Sequence, residues 1–195
     1  MKVSKGVRIT LLVVLLLIID QVIKILVKTN MSIGESIHLF GSWFQILFIE
    51  NNGMAFGLQF GEGFGKLALS LCRLALIALI IVYLTRLVKR PETPNGVLVG
   101  LAAILCGAIG NEIDSIFYGV IFDYAPLFYG KVVDMLYFPL IHNAAGETLF
   151  FRPVFNLADS YITIAVFAII LFFRKDLNDS LETDKSSTET KKAAE

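Results

Sequence analysis

The sequence predicts a mostly α-helical integral membrane protein, with four transmembrane helices and a small β element outside the bilayer. Three observations predict it. Of 195 residues, 56% are hydrophobic and 17% charged, against about 45–50% apolar and about 25% charged in soluble domains; mean hydropathy is +0.73. Four apolar stretches approach the roughly 20 residues that cross a bilayer core. The basic residues then fall in clusters that agree with an even number of crossings.

The first span is Ile9 to Val27, the second Leu67 to Val88, and the third runs from near Val97 past Ile109. The fourth, about Ser160 to Phe173, is short. Lys2, Lys5 and Arg8 precede span one, Arg86, Lys89 and Arg90 lie between spans two and three, and Arg174 and Lys175 follow span four. Positive residues mark the cytoplasmic side. With four spans all three clusters share that side, so both termini are expected in the cytoplasm. Segments of about 28–66 and 111–158 then face outward. Span one is too long for an ordinary signal-peptide core, and no small-x-small cleavage site follows it, so it is read as a retained helix.

Within the first outer segment, Ile37, Leu39 and Phe40, then Gly41, then Trp43, Phe44, Ile46, Phe48 and Ile49 suggest short strands with aromatic residues at the interface. The second outer segment, Tyr118 to Phe151, reads as an amphipathic, membrane-hugging stretch with turns at Pro126, Pro139 and Gly146. Residues 1–175 form one predicted membrane domain. Residues 176–195 are charged and lack aromatics, the composition of a disordered cytoplasmic tail.

Formal net charge is zero, so no basic field recommends nucleic acid. Cys72 and Cys106 lie in apolar runs and are read as small buried side chains. His38 and His142 stand outside those runs. No metal-ligand spacing occurs, and neither metal nor cofactor is expected.

Five polar constellations interrupt the apolar pattern, and ionisable groups at membrane depth are functional candidates by default. Asp20 and Lys24 are four apart on one helical face, an arrangement that serves either chemistry or a structural ion pair. Asn51-Asn52-Gly53 signals a tight turn, and Gly53 would let backbone approach a bound peptide. Asn111 and Asp114 share a face at the outer end of span three. Asp134 follows Val132 and Val133, so it sits at an apolar boundary where desolvation raises a carboxyl pKa. Asn156 and Asp159 open span four, where Asp159 or Ser160 is also a natural helix cap.

Taken together, these blocks resemble the lipoprotein signal peptidases (signal peptidase II). The order matches from Asp20 to Phe173: D-Q-x-x-K, N-x-G-x-A-F, G-N-x-x-D, V-V-D and F-N-x-A-D. The resemblance implies four transmembrane helices, an outer β-cradle and a short outer helix on the membrane. It implies a bacterial cytoplasmic (inner) membrane enzyme with its active site near the outer face. The implied substrate is a prolipoprotein carrying diacylglycerol on its cysteine, cut just before that cysteine. Membrane lipid and cyclic-peptide inhibitors such as globomycin are the other implied partners. The implied catalytic pair is Asp134 and Asp159, supported by Asp20, Lys24, Asn51, Gly53, Asn111, Asp114 and Asn156.

Two departures stand out. The family often has arginine after G-N-x-x-D, where this chain has Ser115; Arg152 is the nominated substitute. The stretch between that block and V-V-D is long, and Asp123 lies nearer the expected distance. Asp134 is preferred on its local match, making Asp123 to Gly130 an inserted loop. A proton-coupled transporter is the main competing reading, since it too places Asp, Asn and Lys in membrane helices. Its polar groups should lie at mid-membrane, whereas these cluster at outer helix ends. A non-enzymatic assembly protein ranks third.

Overall fold

The computed structural model describes residues 4–52, 64–142, 148–150 and 153–180. Helices α1 (Lys5–Asn30), α2 (Phe64–Val88) and α3 (Asn95–Ile121) are each long and apolar enough to cross a membrane. Helix α4 (Leu157–Phe172) meets that test only together with the short helix Arg174–Ser180, from which it is bent by 87°.

Helix α3 is the central one. Its first half buries Val97, Leu98, Leu101, Ala102 and Leu105 against Ile77, Leu84 and Leu87 of α2 and Ile169 of α4. The other helices leave Leu11, Leu15, Leu79, Phe167 and Leu171 exposed, as residues facing lipid would be. Two glycines set how closely α3 is approached. A side chain at Gly107 would meet the Ala158 carbonyl at 2.3 Å, and one at Gly110 would meet Asp20 Oδ2 at 2.6 Å. Small residues at such crossings let membrane helices pack backbone to backbone.

At one end of the bundle, the Lys5 ammonium donates to the Pro91 (2.7 Å) and Thr93 (3.1 Å) carbonyls, and Arg90 donates to the Ser180 carbonyl. The basic clusters at the start of α1 and between α2 and α3 therefore meet, and the helix Arg174–Ser180 folds onto them.

At the other end, β1 (Ser36–Phe40), β2 (Phe44–Asn51), β3 (Val132–Tyr137) and β6 (Val154–Phe155) form an antiparallel sheet in the order β1-β2-β3-β6. Strands β4 (Ile141–His142) and β5 (Thr148–Phe150) pair separately. Gly41, at φ +55, makes the β1–β2 turn, a conformation that costs glycine little. Phe44, Phe138 and Phe155 stack across the sheet at 4.6 and 5.8 Å. Alternation sends Val133 and Met135 into a core with Val27, Phe48 and Tyr118 and turns Asp134 to the opposite face.

Several expectations need correction. Helix α3 runs to Ile121, so Asn111 and Asp114 lie within it and the helix is longer than the span read in sequence. Among the described residues, the stretch after it forms turns and strands, not a membrane-hugging helix. Residues 176–180, expected to be disordered, are helical, and Leu177 packs on the core. Cys106 is buried as expected, but Cys72 is exposed on α2; an apolar run in lipid need not point inward. Gly53 and Arg152 lie outside the described residues.

Candidate active site

The polar residues singled out in sequence converge where α1, α3 and α4 meet β2 and β3, at one end of the bundle. Lys24 is fully buried and lies 3.0 Å from Asp20 Oδ2 and 2.9 Å from Asp114 Oδ2. An ammonium in an apolar surround needs such partners. Both carboxylates also tie backbone: Asp20 Oδ1 accepts from Ala158 N (3.0 Å) at the start of α4, and Asp114 Oδ2 accepts from Val133 N (3.3 Å) in β3. The triad thus fixes, in relative position, the two elements that carry Asp134 and Asp159. In geometry, Asp20, Lys24 and Asp114 form a brace between α1, α3, β3 and α4.

Gln21, part of the D-Q-x-x-K block but not among the nominated supporting residues, belongs to the same brace. Its amide donates to Asp114 Oδ1 (3.0 Å) and to the Gly110 carbonyl (3.2 Å), and its oxygen accepts from the Tyr118 hydroxyl (3.1 Å). The signal was its position three before Lys24, on the same helical face.

Above the brace stand three asparagines. Asn111 Oδ1 accepts from Lys24 Nζ (2.9 Å) and Asn156 Nδ2 (3.0 Å). That leaves its own Nδ2 to donate to Asp159 Oδ1 at 2.8 Å. Lys24 thereby orients the Asn111 amide while also pairing with Asp20 and Asp114. Asn156 is fully buried and links the two acids. Its Nδ2 donates to Asp134 Oδ1 at 2.7 Å, and its Oδ1 accepts from Asp159 N at 3.0 Å. Asp159 Oδ2 in turn accepts from Asn156 N at 3.4 Å, closing a capping box at the start of α4. Asn51, at the end of β2, donates to Asp134 Oδ2 at 3.2 Å.

The two acids differ in environment. Asp134 is 3% exposed, while Asp159 is half-buried. Burial first, and the neighbouring Asp159 carboxylate second, push the Asp134 carboxyl up to about 7 against the bonds from Asn51 and Asn156. This is the condition in which one member of a carboxyl pair holds a proton at neutral pH. Asp123 is elsewhere: it is exposed, at φ +54, in the turn after α3.

Where arginine was expected, Ser115 is buried. Its hydroxyl donates to the Asn111 carbonyl (3.0 Å) and accepts from Arg73 Nη1 of α2 (3.4 Å). A guanidinium therefore reaches this position from a neighbouring helix, which no local motif could reveal.

Residues 12–174 match the family model described as signal peptidase (SPase) II. A Porphyromonas gingivalis protein named lipoprotein signal peptidase is 41% identical over 212 residues, covering 96% of this chain and 92% of that protein. An Amoebophilus asiaticus protein of the same name is 39% identical over 184 residues, covering 86% and 78%. A solved structure described as a bacterial membrane enzyme, obtained by the in meso method at 2.3 Å resolution, superposes with a TM-score of 0.64 at 28% identity, covering 88% of this chain and 90% of that one.

Proposed function

The chain belongs to the signal peptidase II family and is a multi-pass membrane peptidase that processes lipoprotein precursors; from that premise we propose that Asp134 and Asp159 are its catalytic pair. The observation that carries this is the single Asn156 side chain bonded to both residues, with the Asp134 carboxyl raised to about 7.

Amide hydrolysis needs an activated water and a proton for the leaving amine. The ionised member of the pair takes a proton from water that attacks the scissile carbonyl. The protonated member hydrogen-bonds that carbonyl oxygen and then protonates the departing nitrogen. The proton belongs to the pair, and its apparent pKa values are the pair's. Asn51, Asn111 and Asn156 hold the carboxylates without adding charge, and the Asp20–Lys24–Asp114 brace keeps their elements in register. Gly53, two residues after Asn51 in the sequence, is assigned to close approach of the substrate backbone.

Residues 1–175 act as one unit with four spans, α4 being the fourth. The junction of Lys5, Pro91, Thr93 and Arg90 gathers the basic clusters at one end, which supports cytoplasmic termini. The pair then works near the outer face of a bacterial inner membrane. There the diacylglyceryl chains of a substrate stay in the bilayer and its cleavage site, just before the lipidated cysteine, reaches the carboxylates. A globomycin-type cyclic peptide competes for the same pair. The clustering at one end of the helices also argues against the transporter reading.

The test is cleavage of a diacylated prolipoprotein by purified protein in detergent. Asp134→Asn and Asp159→Asn each lower the rate to below about a thousandth of wild type while remaining folded, and Asp123→Asn retains activity. Loss on Asp123→Asn with survival of Asp134→Asn would overturn the assignment.

A further inference from the structure

A second charged cluster lies behind the sheet, on the side away from the carboxylate pair. Glu50 immediately precedes Asn51, and successive strand residues face opposite sides. Asn51 points to Asp134, and Glu50 points to the end of α1. There its Oε1 accepts from the Lys28 ammonium, and its Oε2 lies 3.3 Å from Lys131 Nζ. Burial would push the Glu50 carboxyl up, but the bonds and charges of Lys28 and Lys131 outweigh burial and hold it below its ordinary value.

The Lys28 ammonium also sits 4.8 Å from the Phe122 ring centre and 4.7 Å from that of Tyr124, within cation–π range. The Tyr124 hydroxyl accepts from Lys131 N at 2.7 Å. Three separate pieces of chain meet at one carboxylate: the last turn of α1, the end of β2, and the loop from 122 to 131 that leads into β3. That loop contains the stretch Asp123 to Gly130, read in the sequence as an insertion. It is fastened rather than loose, since Gly130 N donates to the Ser115 carbonyl at 2.9 Å and Phe128 N to the Ile116 carbonyl at 3.1 Å.

Register makes the cluster relevant to the chemistry. Glu50 pairs with Val133, Asn51 with Val132 and Ile49 with Asp134, just after an irregularity in the β2–β3 ladder between Ile46 and Ile49. The ladder ends at Asn51, so backbone pairing alone leaves the residue that holds Asp134 Oδ2 at a strand terminus. Lys28 also continues the α1 face of Asp20 and Lys24, at successive steps of four. One helix face thus braces α3 and α4 from below and pins β2 from behind.

We propose that Glu50, clamped by Lys28 and Lys131, is a positioning residue that acts through Asn51 to hold the Asp134 carboxylate in its working place. This rests on the assignment of Asp134 above. The clamp touches neither carboxylate of the pair, so its loss misplaces the acid without removing it.

The test is a double-mutant cycle in the prolipoprotein cleavage assay, with Asp134→Asn as the inactive reference and thermal unfolding as the fold control. Glu50→Gln is expected to lower kcat about tenfold with KM within about twofold. In an Asn51→Ala background the same change is expected to cost less than about twofold, because residues acting through one another are not additive. Lys131→Met removes the more exposed cation and supplies a milder version of the same cycle if Glu50→Gln does not fold. Full kcat in folded Glu50→Gln, or losses that multiply with those of Asn51→Ala, would overturn the proposal. An active Asp134→Asn reference would instead overturn the catalytic assignment and leave the coupling of Glu50 and Asn51 as a separate measured quantity.

Discussion

The two halves of α3 are held in different ways. The first half, Val97 to Leu105, packs hydrocarbon against α2 and α4. The second, from Gly107 onward, packs Asn111, Asp114 and Ser115 against Lys24, Gln21, Asn156 and Arg73. Both are close-packed and largely buried. The difference is that dispersion has no direction, while each bond in the polar half names its partner. The apolar half can absorb a change of shape. The polar half is complete or broken, since removing one partner of a buried ion pair leaves an uncompensated charge that no repacking can satisfy.

Substitutions in each half test that contrast. The largest effect is expected at Lys24→Met, which leaves Asp20 and Asp114 buried without their shared cation. A loss of about 3–5 kcal/mol follows, read as a collapse in folded yield or melting temperature in detergent. A Lys24→Met protein as stable as wild type would show that the brace is decorative.

Asn51→Ala comes next and spares the brace while touching the pair. The Asp134 carboxyl, at about 7 against an ordinary 3.8, keeps its proton in the folded protein where the unfolded chain has lost it. Stability therefore falls as pH rises from 3.8 to about 7, and cleavage declines as the proton leaves on the alkaline side. Among the neighbours of Asp134, Asp159 raises its pKa while Asn51, Asn156 and Lys24 lower it. Removing Asn51 deletes a bond to the charged form, so the alkaline decline should move to higher pH as kcat falls. A pH–rate profile checks this, and a decline that moves down would contradict it.

The smallest effect belongs to the apolar half. Leu98→Met conserves volume at a fully buried position and should cost less than about 1.5 kcal/mol with cleavage unchanged. A loss matching that of Lys24→Met would erase the contrast.

The same contrast marks what could be read without coordinates. Apolar length made the helices legible, and residue identity in short blocks made Asp20, Lys24, Asn51, Asn111, Asp114, Asp134, Asn156 and Asp159 legible as a set. The preference for Asp134 over Asp123 came from local pattern, and the geometry groups Asp134 with the set. What escaped was direction. Spacing puts Asn111 and Asp114 on one face of α3 but does not say that this face is buried in the bundle, or that the helix continues to Ile121. Val132 to Tyr137 is too short and apolar for its period to tell strand from buried helix. Cys72 looked buried because lipid-facing and core-facing residues have the same composition. Arg73 beside Ser115, and Lys28 beside Glu50, are pairings between distant segments that no local spacing announces.

Asn156 begins α4, closes its capping box and holds Asp134, all with one small amide. That overlap bears on resistance. An inhibitor that leans on this amide would meet few escape routes, because a substitution that evades it also unstarts a helix and releases an acid. Positions that do one task can be traded away under selection; this one carries three at once.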